Sequence, residues 1–190
     1  MPDPNVAECH AAALAHTGAV VARIRPDQMS MPTPCAGWDV RALLNHVVSG
    51  NWWAVELATG RTIAEVGDRL DGDVVGDDPR DTYEASADAA AAVFRVPGAL
   101  ERPCAVSYGP VPGSVYCGHR FVDVLVHGWD LARATGQPSA LPPDLVDACM
   151  EVVVPQADLL AGSGMFGTTV PVAKGAGAET RLLGMLGRHN

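Results

Sequence analysis

Apolar positions along the chain fall into helical periods separated by breaks rich in proline and glycine. Val6, Leu14, Val21 and Ile24 mark a first helix over 5–25, stopped by Pro26. Ser-Met-Pro-Thr-Pro-Cys-Ala-Gly-Trp at 30–38 holds two prolines and a glycine and reads as a rigid loop. Asp39 then caps a second helix over Val40–Thr59, closed by Gly60. One face of that helix shows Leu43, His46, Val47, Gly50 and Trp53, and Gly50 gives room for a close approach. Residues 60–79 carry Glu65, Asp68, Asp71, Asp73, Asp77 and Asp78, a long acidic connection without the pattern of a calcium loop. Asp78-Pro79 opens a third, alanine-rich helix to about Val96, anchored by Tyr83, Val93 and Phe94.

The remainder follows the same logic. The prolines and glycines of 101–113 predict a loop or a short irregular hairpin, after which Ser114 is placed as the cap of a fourth helix. That helix runs through 119–136, His-Arg-Phe-Val-Asp-Val-Leu-Val-His-Gly-Trp-Asp-Leu-Ala-Arg-Ala-Thr-Gly, and ends on Gly136. Pro142-Pro143-Asp144 opens a further helix to about Leu160, and a glycine-rich tail follows with a short helix at Glu179–Gly187. Four long helices and little strand signal predict an all-α fold, a helical bundle forming a single domain over 1–190. The long 60–79 connection, between the second and third helices, permits a topology other than simple up-and-down.

Composition narrows the class. The chain has 190 residues, 48% hydrophobic and 18% charged, with a net charge of −9, which is a globular composition. No basic stripe exists to meet phosphates, so nucleic acid and anionic membranes are not expected as partners. No apolar run approaches the ~18 residues a membrane helix needs. No signal peptide is read in the first residues, and five scattered cysteines without a C-x-x-C fit a cytoplasmic protein. A homodimer is left open.

The candidate chemistry sits in the fourth helix. Asp123 and His127 lie four residues apart, on one face, among Phe121, Val122, Val124, Leu125, Val126, Trp129 and Leu131. A carboxylate in such surroundings needs compensation, and either a divalent cation or an Asp–His hydrogen bond supplies it. His46 on the second helix gains interest only beside that pair. Two histidines and one carboxylate make three protein ligands and leave positions for water or substrate, the mark of an open, catalytic type of site.

Two segments carry a resemblance. Thr33-Pro-Cys-Ala-Gly-Trp-Asp-Val-Arg-Ala-Leu-Leu-Asn-His46 and Asp123-x-x-x-His127-Gly-Trp-Asp-Leu-Ala-Arg-Ala-Thr-Gly136 resemble the actinobacterial metal-binding proteins related to mycothiol-dependent maleylpyruvate isomerase, within the DinB-like superfamily. The closing Phe166-Gly, Val170-Pro-Val and Arg181-to-Arg188 segments are similar to that group's tail, so the resemblance spans nearly the whole chain. It implies a DinB-like four-helix bundle and one divalent metal, zinc first and nickel or iron after it, held at positions matching His46, Asp123 and His127. It also implies mycothiol as a cosubstrate. The isomerase carries Glu where this chain has Asp123, and an additional domain for which the tail here is too short. The expected activity is therefore broader: a mycothiol-dependent S-transferase or isomerase-like enzyme joining a small thiol to an electrophile. The alternatives are a metal-dependent hydrolase and a non-catalytic metal-binding stress-response module. Around the centre, Asp130 is a candidate partner for an imidazole N–H, Trp53 (with Trp52) a candidate pocket wall, and Arg133 a candidate partner for an anionic substrate. Cys35 and Cys117 are not expected as ligands or nucleophiles.

Overall fold

The computed structural model describes residues 5–157 and 167–189. It is mostly helical, with one small sheet. The chain divides into two compact units, Met1–Pro138 and Ser139–Asn190.

In the first unit, α1 (Val6–Val21), α2 (Val40–Ala58), α4 (Pro79–Phe94) and α5 (Gly113–Ala134) are the long helices. Local chemistry starts them where the sequence predicts. Asn5 accepts from the Ala7 N–H at 3.1 Å, Asp39 from Ala42 at 2.8 Å, and Asp78 from Asp81 at 3.2 Å. Helix α1 packs on α5 and α4, and α2 packs on α4 and α5. Leu43, Leu44, Tyr83, Phe94, Phe121, Leu125, Trp129 and Leu131 fill the space between them and are fully buried. The α1–α5 contact is close because Gly128 has no side chain. A methyl group there would strike the Thr17 hydroxyl, which donates to the Val124 carbonyl at 3.0 Å.

Two local expectations need correction, and a third, the short hairpin, is sharpened. The long acidic connection is not structureless: α3 (Ile63–Val66) forms in it, with Thr62 and Glu65 in a reciprocal capping box. Asn45 and Arg41 of α2 tie the rest of the loop down. The Asn45 amide donates to the Gly72 carbonyl and accepts from Val74, and Arg41 pairs with Asp73. Residues 103–112 make a regular hairpin, β1 (Pro103–Val106) antiparallel to β2 (Gly109–Pro112), with Cys104 opposite Val111. Finally, Ser114 does not cap α5. The helix starts one residue earlier, straight from β2, and its first N–H groups donate to backbone carbonyls: Gly113 to Arg102 at 2.8 Å and Ser114 to Leu100 at 2.7 Å. Backbone acceptors fill the role a side-chain cap would have had.

In the second unit, α6 (Pro143–Val153) packs on α7 (Ala178–Met185). Helix α6 is shorter than predicted, giving way to a 3-10 turn at Val154–Gln156, where Pro155 lacks the N–H an α-helix needs. Residues 158–160 of the predicted helix, and Phe166 of the tail motif, lie outside the described residues. Leu182, Leu183 and Leu186 are buried. Among the described residues no helix is long and apolar enough to cross a membrane.

Candidate metal centre

The spacing along α5 sets the site. Arg120, Asp123, His127 and Asp130 are three, four and three residues apart, so all four side chains share one face. That face meets α2 at His46. His46 Nε2 lies 3.2 Å from Asp123 Oδ1, and His127 Nε2 lies 3.5 Å from the same oxygen. The two imidazole centroids are 4.9 Å apart, the rings nearly perpendicular. One donor atom from each of the three residues falls within 4.8 Å of the others.

This donor set fits a divalent cation in type, number and spacing. Two imidazole nitrogens and a carboxylate oxygen suit borderline metals, and metal bonds of ~2.0–2.1 Å in a tetrahedral site place neighbouring ligands about 3.3 Å apart. Exposure is graded across the three: the side chain of His46 is 37% exposed, that of Asp123 18% and that of His127 6%. The cluster therefore opens to solvent on the His46 side and is closed behind His127.

The remaining contacts fix each group. His127 Nδ1 donates to Asp130 Oδ2 at 3.0 Å, which turns Nε2 toward Asp123. Asp130 is fully buried and also accepts from the Cys35 thiol at 3.2 Å. Cys35 Sγ lies 3.7 Å from His127 Nδ1 as well. On the other side, Arg120 Nη1 donates to Asp123 Oδ2 at 2.8 Å. Burial alone would raise the Asp123 carboxyl. Arg120, His127 and His46 outweigh it and hold the group well below the usual carboxylate range. His127 shows the converse. Burial opposes its charge, yet Asp123, Asp130 and Cys35 raise its pKa well above that of an ordinary histidine.

The loop before α2 completes the wall. Thr33 ties it shut: its hydroxyl donates to the Trp38 carbonyl at 2.8 Å, and its N–H reaches the same carbonyl at 3.2 Å. Gly37, at φ 81°, makes the turn that an L side chain would strain. This clasp brings Cys35 to Asp130 and sets the Trp38 ring 4.9 Å from His46 and 6.2 Å from His127.

Several of these placements differ from the sequence reading. Trp38, not Trp52 or Trp53, flanks the imidazoles; Trp53 is half-buried on α2. Arg133 is exposed, with its guanidinium 5.5 Å from the centre of the Trp129 ring rather than at the cluster. Asp130 meets His127. Arg120 was missed, and Cys35, which was not expected as a ligand or nucleophile, meets Asp130 and His127. The signal for Arg120 was its place three residues before Asp123. Nothing local pointed to Cys35, because its partner is 95 residues away.

Fold and site together describe a helical protein with an open His/His/carboxylate donor cluster. Residues 10–132 match the family of the mycothiol maleylpyruvate isomerase N-terminal domain. The chain belongs to that family. It is 39% identical over 127 residues to an uncharacterized protein of Mycobacterium tuberculosis, found in strains CDC 1551 / Oshkosh and H37Rv alike. That match takes in 67% of this chain but only 65% of the relative. The fold is similar to the crystal structure of the mycothiol-dependent maleylpyruvate isomerase, with TM-score 0.63 and 15% identity, covering 83% of this chain and 70% of that one. A histidine-to-alanine variant of the same enzyme matches equally well, with TM-score 0.63.

Proposed function

We propose that the protein binds one divalent metal, zinc by first choice, through His46, Asp123 and His127, and transfers or isomerises with the help of a low-molecular-weight thiol of the mycothiol type. In this reading α1, α2, α4 and α5 are a DinB-like four-helix bundle, and the centre lies on its α2–α5 seam. The observation that carries the proposal is the meeting of His46 with Asp123, 77 residues away in sequence, and with the His127 beside it, at ligand-to-ligand spacing.

A metal held there supplies Lewis acidity, stabilising the anionic form of a thiol that is ordinarily protonated at neutral pH. The chain's own residues do the rest. Asp130 keeps the proton on Nδ1 of His127 and presents Nε2 to the centre. Trp38 forms an apolar wall on the open side, beside His46, where a small electrophile is to be held against the thiol. The buried face behind His127 keeps water to one side of the cluster.

Elemental analysis of protein purified without a metal-affinity tag is expected to find stoichiometric metal. Product formation with mycothiol and a panel of small electrophiles is expected to require both metal and thiol. Stoichiometric metal retained by an Asp123→Ala/His127→Ala double variant would sink the ligand assignment. Metal-dependent turnover that proceeds equally without thiol would make the protein a hydrolase.

A further inference from the structure

Among the described residues, Arg120 is the cationic side chain paired with the carboxylate of the donor set, as Asp130 is the anionic one paired with His127. Arg120 is 7% exposed, and three observations show a place built for its guanidinium. Gly50 on α2 leaves the space: a methyl group at that position would sit 2.5 Å from Arg120 Cζ. Asn51, the next residue, meets Arg120 Nη2 through Oδ1 at 3.4 Å. Asn51 is itself held by the Ser86 hydroxyl of α4 at 3.1 Å, and that hydroxyl donates to the Tyr83 carbonyl at 2.9 Å. Two helices thus position one guanidinium behind Asp123, on Oδ2, while Oδ1 faces the imidazoles. Arg120 Nε is buried and finds no hydrogen-bond acceptor among the described residues.

The consequence is electrostatic. Asp123 is the only carboxylate of the donor set, and Arg120 cancels its charge. With two neutral imidazoles, Arg120 raises the net charge around a divalent cation by about one over what the cation, Asp123 and the Asp130 carboxylate behind His127 would leave. Resting on the metal-centre reading above, we propose that Arg120 is a positioning residue that makes the open position selective for a monoanionic ligand, a thiolate or a carboxylate, over a neutral one. The same charge repels the cation, so the arrangement weakens metal binding while it strengthens anion binding. A side chain that merely braced Asp123 would support both.

The test uses cobalt(II)-loaded protein, whose visible bands report ligand binding, titrated with azide as an anion and imidazole as a neutral ligand. Arg120→Gln keeps an N–H donor for Asp123 and removes the charge. It is expected to lower azide affinity by about ten-fold or more, as loss of a unit charge at short range in a partly buried site requires. Imidazole affinity should stay unchanged, and cobalt should bind as tightly as in the wild type or more tightly. Arg120→Lys should keep most of the azide affinity. If Arg120→Gln does not fold, as judged by far-UV circular dichroism, Arg120→Met takes its place with the same expectations. Titrations with 2-mercaptoethanol and acetate identify which anion class shows the dependence on Arg120. Azide and imidazole affinities that fall together, or azide affinity that does not fall, overturn the proposal and leave the metal centre standing. A wild type that takes up no cobalt at His46, Asp123 and His127 overturns the metal reading and this proposal with it.

Discussion

His127 and His10 are both buried, at 4% and 0% exposure, and their environments drive them in opposite directions. His127 sits between Asp123 and Asp130, which favour its charged form. His10, on α1, lies edge-on to Phe94 with ring centroids 5.4 Å apart, and neither of its nitrogens has a hydrogen-bond partner among the described residues. Burial pushes its pKa down to about 3, and the charges of Arg120 and Arg95 add to the effect. Burial is therefore common to both, and the partner decides the outcome. A polar group in this core becomes a candidate for chemistry where α5 sets carboxylates beside it, and a neutral packing element where α4 brings an aromatic ring. Arg120 contributes to both regions: it pairs with Asp123 and disfavours a proton on His10.

The largest effect on this contrast should come from unpairing the charges at the centre. Asp123→Leu leaves the Arg120 guanidinium buried without its carboxylate, and is expected to destabilise metal-free protein by about 3–5 kcal/mol. Asp123→Leu combined with Arg120→Met should recover most of that loss. Urea denaturation of the four corners of the cycle measures it, and additive losses in the double variant would show that the pair is not coupled.

Acid should break the other side of the contrast. His10 has a folded pKa depressed to about 3 against 6.5 for an ordinary histidine, so the unfolded chain binds the extra proton first. The stabilisation is complete above the unfolded value and is lost as pH falls, by about 2 kcal/mol near pH 5. His10→Leu should flatten that part of the stability profile, and a wild-type profile already flat between pH 6.5 and 5 would disprove it. His127, with its raised pKa, has the opposite sign. In metal-free protein its contribution is full below the unfolded value and is lost as pH rises through the folded one. Asp123 contributes above its unfolded value and loses that contribution only as pH falls through its depressed one.

The smallest effect should sharpen what orients His127. Asp130→Asn changes the group that holds Nδ1, and is expected to weaken metal binding by about 10- to 100-fold. Cys35→Ser keeps a donor to Asp130 and should change metal affinity far less. Competition with a chelator measures both, and equal losses in the two variants would place Cys35 among the ligands.

The sequence by itself determined what is local. The helix starts at Asn5, Asp39 and Asp78 follow from a side-chain oxygen and an N–H two or three residues on, and the shared face of Asp123 and His127 follows from the helical repeat. The family resemblance was also legible, and the match over residues 10–132 shows it. Tertiary structure decided what depends on partners far along the chain. That Gly50 makes room for Arg120 rather than only for a helix is a matter of which side chain on α5 faces it, 70 residues later. The same holds for Cys35 at Asp130, for Trp38 at the imidazoles, and for His10 against Phe94, where periodicity assigns a face and cannot assign the neighbour. The physical reason is that capping and periodicity act over a single turn of chain, whereas the state of a buried charge is set by whatever the packing of distant helices places within a few ångströms of it.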